Sequence, residues 1–382
     1  MVDNVSIIYG FGIAVNAFLT LLLFFKKGKI AADKILLTWL CFVLAHQVLN
    51  YLEIFAIDKA QFPFLIGVGI PLTLIQAPFL FLYVSQLTDD SYLARNRKYI
   101  AVHFLPTAAA YVYMAGFIMS PAAEKIYIME HHGVGYEGFM TLRFYATYIS
   151  GVAYVVLSLL KIRAHQQRIR NVFSNTEKVN LQWLKILVYG IGVIWLVVFF
   201  GNQIQTFVAV SLYISALGFF GIMQVNIFSN NRKIEEITPE VQNIIEESPE
   251  EVQEKYETSK LSDTKKDMIE AGLQQQIDEN KLFLNPELTL DVLADTLDVH
   301  ANDVSQYING HLGLTFYDYI NSKRIEEFKR KVALPESRNL NILGLAFDCG
   351  FNSKSTFNRN FKKLTGQTPS EYVNSAKEMS VN

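Results

Sequence analysis

Cysteine is almost missing from this sequence. The 382 residues hold two, Cys41 and Cys349, in different segments. That excludes a disulfide framework and predicts two unpaired thiols. No Cys/His spacing suits a metal ion, and the pair His131-His132 has no third ligand nearby in the chain. A phosphate-binding glycine loop and a nucleophile–base pair are missing as well. The sequence therefore points away from an enzyme and implies no cofactor and no metal. Charge is scarce too. Only 18% of residues are Asp, Glu, Lys or Arg, and the net charge of -2 gives no bulk attraction to nucleic acid. The scarcity is uneven: up to about residue 228 charges sit in short loops, and beyond it they are frequent.

Seven long apolar stretches fill that first part, near 5–25, 33–57, 62–87, 99–120, 139–160, 181–201 and 204–228. A helix needs about 20 apolar residues to cross a hydrocarbon core about 30 Å thick. These stretches lack the one-sided polar face of a surface helix. Residues 1–228 are thus expected to form a seven-helix transmembrane bundle in a lipid bilayer. The first stretch lacks the basic start and small-residue cleavage site of a removable signal and is read as a permanent span. Pro63, Pro71 and Pro78 fall in the third and should kink it.

The connections set an orientation. Lys26, Lys27, Lys29 and Lys34 follow the first stretch, and Arg95, Arg97 and Lys98 precede the fourth. Lys161, Arg163, Arg168, Arg170 and Lys178 lie between the fifth and sixth. The alternate connections hold only Lys59 and Lys125. The positive-inside rule puts the richer set in the cytoplasm. Seven spans of the cell (inner) membrane then place the N-terminus outside and the C-terminus inside.

Polar groups inside the stretches are His46, Gln47, Asn50 and Glu53 in the second, Gln76 in the third, His103 in the fourth and Arg143 early in the fifth. Ionisable groups at membrane depth are costly and face the bundle interior or water. His46, Asn50 and Glu53 are spaced four and three apart and share a helix face. His46, Asn50, Glu53, Gln76, His103 and Arg143 are candidates for binding an unknown signal ligand. Interhelical hydrogen bonding is the other reading of the same residues.

From 229 to 262 the chain is an acidic linker. Thr238-Pro239-Glu240 and Ser248-Pro249-Glu250 read as helix starts, with a capping hydroxyl, Pro at the first position and Glu at the positive dipole end. Ile234, Ile237, Val241 and Ile244 follow a 3-4-3 pattern that suits pairing in a homodimer, although it lasts under two heptads and Pro239 interrupts it; a solvated spacer and a docking strip against the last domain are the alternative readings.

Residues 263–382 carry a helix-turn-helix pattern twice. Leu290, Leu293, Ala294 and Leu297 line a first helix, Asp298 to Ala301 turn, and Val304, Tyr307 and Ile308 line the next, leaving Asn302, Ser305, Gln306 and Asn309 pointing out. A longer helix from about 316 to 332 carries Lys323, Arg324, Lys329, Arg330 and Lys331. Ile342, Leu345, Ala346 and Cys349 then repeat the first face, and Gly350-Phe351 turns where glycine permits positive φ. The following helix buries Phe357 and Phe361 and exposes Lys354, Thr356, Asn358, Arg359, Lys362 and Lys363. Residues 323–363 hold the bases, so that half is the expected phosphate-facing surface.

The run Gly350-Phe351-Asn352-Ser353, then Phe357-Asn358-Arg359-Asn360-Phe361-Lys362-Lys363, then Gly366-Gln367-Thr368-Pro369 closely resembles the signature of AraC/XylS-type transcription regulators. The resemblance covers about 268–378. It implies a soluble seven-helix domain with two helix-turn-helix units, both binding double-stranded promoter DNA. The first recognition helix departs from a basic reader, having no Lys or Arg. Its contacts would rest on Asn302, Ser305, Gln306 and Asn309, and Asn or Gln can bind adenine edges. In the second, Ser353, Lys354, Thr356, Asn358 and Arg359 lie nearest the groove, and Lys362 and Lys363 suit phosphates. The chain as a whole reads as an all-α, membrane-embedded regulator with RNA polymerase as a further partner. The competing reading is a transporter or channel with a cytoplasmic regulatory domain, although no internal repeat supports it.

Overall fold

The computed structural model describes residues 2–56, 62–177, 179–223, 241, 244–245, 261–334 and 341–379. It is helical, with no strand among the described residues. The chain forms two compact units: Met1–Arg163 with Leu181–Lys233, and Ala164–Asn180 with Ile234–Asn382.

Among the described residues six helical segments are long and apolar enough to cross a membrane: Val5–Phe25, Ala31–Phe55, Pro63–Thr88, Ile100–Met119, Glu137–Asn171 and Gln182–Phe200. The seventh stretch opens a helix, Gln203–Met223, of which Ile204–Leu217 counts as a shorter apolar helix. The first helix packs on the second and on Gln203–Met223. Leu36, Leu80, Val84, Ile162, Leu184 and Val188 lie in the shared core.

One local expectation changes. The third stretch is not one kinked helix: 3-10 turns at Pro63–Leu65 and Ile70–Ile75 precede the α-helix Gln76–Thr88. Pro63 and Pro71 fall at the first positions of the two 3-10 segments and Pro78 in the first turn of the α-helix, where a missing N–H costs little. The connection holding His131-His132 contains a helix, Ala122–Glu130, and Ile128 anchors it.

Among the described residues from 261 onward there are seven α-helices, the number expected. Helix Asp263–Leu273 continues as a π turn to Glu279. Leu290–Leu297 and Ala301–Gln306 form the first helix-turn-helix, the latter extended by a π turn to His311. Phe316–Val332 links it to Ile342–Phe347 and Lys354–Thr365, and Pro369–Met379 closes the unit. Hydroxyl and amide caps fix the starts. Thr289, Thr315, Asn341 and Ser353 each accept a backbone N–H from the first turn that follows.

The linking helix serves both halves. Phe316, Tyr319 and Ile320 pack with Leu290, Val304 and Ile308, while Ile325 and Phe328 pack with Leu345, Phe357 and Phe361. Val241 and Ile244 bury in the first of these cores, which is the docking reading of the linker strip. Ile234, Ile237 and both proposed linker helix starts, at Thr238 and Ser248, lie outside the described residues.

One contributor comes from far away in sequence. Val172, between the fifth and sixth apolar stretches, is fully buried in the first helix-turn-helix core. Phe173 forms an isolated antiparallel bridge with Thr289, and Leu290 N–H donates to the Val172 carbonyl at 2.8 Å. The second unit is therefore discontinuous in sequence.

Candidate functional site

The second recognition helix, Lys354–Thr365, is amphipathic as expected. Phe357 and Phe361 are buried, and Lys354, Asn358, Arg359, Lys362 and Lys363 are exposed. Ser353 is its N-cap. Thr356 departs from expectation: it is 6% exposed rather than presented to solvent. Its hydroxyl donates to Glu177 at 2.6 Å. The same Glu177 oxygen accepts from Ser355 at 3.2 Å and from Ser353. A carboxylate thus closes the start of the helix, where unpaired N–H groups and the dipole favour negative charge. Burial pushes the Glu177 carboxyl up, but those three hydroxyls and the nearby Arg359 charge outweigh it and hold its pKa below the ordinary range.

The far end is occupied similarly. Lys363 Nζ lies 2.8 Å from Asp318, and Arg170 meets both oxygens of that carboxylate at 2.7 and 2.8 Å. Burial raises the Asp318 pKa, but the Lys363 and Thr315 hydrogen bonds and the Arg170 charge bring it below its usual value. Arg359 donates to the Tyr317 hydroxyl at 3.0 Å, as does Asn360 at 2.7 Å.

The first recognition helix presents less than the sequence suggests. Ser305 is 1% exposed and accepts from Asn309 Nδ2 at 3.1 Å, so it faces inward. Asn302, Gln306 and Asn309 are partly exposed. Asp303 is tied to Lys265 at 2.7 Å.

The basic run on the linking helix is the main correction. It was expected to face phosphate, yet Arg324 is 1% exposed. Its Nε donates to the Phe283 carbonyl at 2.8 Å, and Nη2 donates to the Asn285 carbonyl at 2.7 Å and to Ser174 Oγ at 3.1 Å. Lys323 pairs with Asp278 at 2.7 Å, and Lys331 donates to the Asp348 carbonyl. Arg330 and Lys281 clasp Glu327. Lys323, Arg324, Arg330 and Lys331 thus hold the domain together, whereas Lys329 stays exposed on the linking helix.

Glu327 gives the domain an acid limit. The Arg330 and Lys281 hydrogen bonds outweigh burial and bring its pKa from 4.5 to about 2. A depressed carboxyl stabilises the folded form fully above 4.5, and the benefit is lost as pH falls from there toward about 2. Thermal stability of this unit is expected to fall over that window in wild-type protein. The fall should be shallower in Glu327→Gln, as followed by melting at pH 6, 4 and 3; parallel curves would remove Glu327 from the acid response.

In the first unit, five of the six predicted ligand residues line one cavity of about 760 Å³: His46, Asn50, Glu53, Gln76 and Arg143. His103 does not; its Nδ1 pairs with the Tyr154 hydroxyl at 2.7 Å. Some of the polar groups are spent on packing. Trp39 Nε1 donates to Gln76 at 2.8 Å, Arg143 Nη1 to Thr73 at 3.3 Å, and Asn16 to Gln47 Oε1 at 2.8 Å. No group of three or more His, Cys, Asp or Glu able to hold a metal occurs among the described residues.

Sequence reasoning missed Glu177, Ser174 and the cavity residues Tyr9, Thr147 and Trp195. The first two sit in a connection that has no periodicity to read. The last three look like ordinary span residues.

Comparison with known proteins bears on the second unit. The family described as Helix-turn-helix domain, of AraC type, matches residues 293–375. Uncharacterised HTH-type transcriptional regulators of Staphylococcus aureus strains COL, MSSA476 and N315 are each 30% identical over 98 residues, 26% of this chain and 13% of theirs. The chain thus spans about an eighth of the length of these relatives. No solved structure matches. The two helix pairs, their shared linking helix and the family match place an AraC-type helix-turn-helix domain at residues 293–375, similar to that of HTH-type transcriptional regulators.

Proposed function

We propose that the chain is a membrane-embedded, sequence-specific transcriptional regulator. Its seven-span domain senses a signal, and its cytoplasmic double helix-turn-helix binds promoter DNA. The observation that carries this reading is the joining, in one polypeptide, of an AraC-type domain to six helices long and apolar enough to cross a membrane. The distribution of Lys and Arg supports a cytoplasmic reader.

Roles follow from position. Lys354 and Asn358, exposed near the helix start, contact base edges, and Arg359 contacts base or phosphate. Lys362 and Lys363 contact phosphate. Asn302, Gln306 and Asn309 offer the first unit's contacts, with Ser305 orienting Asn309. Self-association and contact with RNA polymerase belong to the same reading.

The test is to map DNA occupied by full-length protein in living cells, with and without Lys354→Ala plus Arg359→Ala. Discrete peaks that vanish in the variant are expected. Wild-type occupancy no better than background under varied growth conditions would overturn the proposal. A finer expectation concerns Lys362→Ala. It should weaken specific and non-specific duplexes alike and lower the slope of log affinity against log salt by about 0.9. An unchanged slope would remove Lys362 from the phosphate contacts.

A further inference from the structure

The cavity in the apolar unit carries a statement about what it binds. Five buried polar atoms lining it have no hydrogen-bond partner: Tyr9 Oη, Gln47 Nε2, Arg143 Nε, Thr147 Oγ1 and Trp195 Nε1. They come from four helices, and Gln47 is 2% exposed. Three of the five can only donate, and the two hydroxyls can donate as well. Leaving such groups unpaired costs about 1–3 kcal/mol each, so five around one void describe a site built for an occupant. The rest of the wall is apolar, with Val43, Ile191 and Val198 among its residues. Its volume of about 760 Å³ lies in the range of small-molecule sites, roughly 300–1,000 Å³.

We propose that this cavity binds an amphiphile whose anionic, acceptor-rich head, of the carboxylate kind, meets Arg143, Gln47 and Trp195 while its apolar tail lies along the aliphatic wall. The inference deepens the sensing role proposed above and rests on it for its biological meaning, though not for binding itself.

Trp39 and Trp195, two of the chain's three tryptophans, line the cavity and report on it. The experiment titrates full-length protein in phosphatidylcholine nanodiscs with decanoate and with decanol, following tryptophan emission. A saturable response to decanoate, absent or far weaker with decanol, is expected. Arg143→Gln should weaken it about tenfold or more, the loss of one charge-assisted hydrogen bond, and Arg143→Lys should recover part. Should Arg143→Gln lose helicity, Gln47→Leu gives the second reading. Equal responses to the two probes, or wild-type affinity in Arg143→Gln and Gln47→Leu, would overturn the proposal. Repeating the titration with phosphatidylglycerol in the disc separates sources: a blocked decanoate response assigns the anionic head to a bilayer lipid, and an undiminished one to a dissolved amphiphile. Promoter occupancy with and without decanoate is read separately. Binding without a change in occupancy would sink the sensing role and leave the ligand class standing.

A second inference rests on different contacts. Glu177 binds Ser353, Ser355 and Thr356 at the start of the DNA-reading helix, and Asp318 binds Lys363 near its end. Hydroxyls at a helix start and a lysine side chain are what a DNA backbone would use. We infer that the 164–180 connection acts as an internal competitor of DNA, with the Glu177 carboxylate holding a phosphate position. Both ends of this connection continue into apolar helices, Glu137–Arg168 and Gln182–Phe200, so a change in either is passed to it covalently.

Glu177→Gln in the full chain keeps the size and removes the charge. Affinity for a 40-base-pair duplex, read by fluorescence anisotropy, is expected to rise about tenfold, the difference between a charge-assisted and a neutral hydrogen bond. Adding duplex to wild-type protein should also speed hydrogen exchange in 175–180. A purely structural Glu177 predicts the opposite sign, weaker DNA binding in Glu177→Gln. That outcome, or unchanged affinity with unchanged exchange, would refute the inference.

Discussion

Replacing Arg324 by methionine is expected to cost the DNA-binding unit roughly 3–5 kcal/mol. The substitution keeps the apolar stem and removes every donor. The Phe283 carbonyl then loses its buried partner, while the Asn285 and Ser174 carbonyls, which also accept from Leu288 N–H and Asn321, each lose one bond, at about 1–3 kcal/mol for the group left unsatisfied and about 1 kcal/mol for each further bond lost. Arg324→Lys keeps the charge, but a single ammonium cannot span three acceptors arranged around a planar fork, so about half the loss should remain. Hydrogen exchange of full-length protein in micelles checks this. Amides of Phe316–Val332 should exchange about a hundredfold faster or more in Arg324→Met if they exchange through opening of the unit. Wild-type rates there would mean that the guanidinium contributes little beyond filling space.

Gly350→Ala should be nearly as damaging, for a backbone reason. Gly350 has φ +91, where an L residue is strained, and an added Cβ would sit 2.7 Å from the Phe283 carbonyl and 2.9 Å from both the Leu284 carbonyl and Arg324 Nε. Strain of about 1–2 kcal/mol is joined by displacement of the backbone that accepts from Arg324, for a total of about 3 kcal/mol. Gly310→Ala is the control, since a Cβ there meets nothing within 4 Å, and it should be neutral or mildly stabilising. Gly350 and Arg324 disturb one hub, so the double variant should lose clearly less than the sum of the single losses. Strict additivity in the same exchange measurement would show the two to be independent.

The sequence makes the reader's local architecture plain. Every inward residue named for the two helix pairs follows from spacing, and the Gly350-Phe351 turn follows from glycine's freedom. Residue chemistry at a distance is what spacing hides. Arg324 looks like its neighbours Lys323 and Lys329, because a run of bases on a helix reads as a solvent face; only the approach of 283–285 and Ser174 turns it inward. Thr356 looks exposed until Glu177, 179 residues earlier, caps it. In the apolar unit, the His46, Asn50 and Glu53 face is legible from the helical period, and Arg143 and Gln76 from their cost among apolar neighbours. His103 has the same cost but meets it with Tyr154, a partner no local pattern names.

The burial of Val172 and the Ser174 bonds to Arg324 bear on how such a reader is inherited. Most DNA-binding domains travel as cassettes: cut at a linker, joined elsewhere, still folded. This one has part of its core encoded upstream of two apolar helices. A cut at the acidic linker leaves a valine-sized hole beside Leu290 and an arginine without its serine. A chimera that pairs this reader with a different membrane domain must therefore bring residues 164–180 along, grafted between two helices of the new host, and recombination at the linker alone would yield a weakened reader.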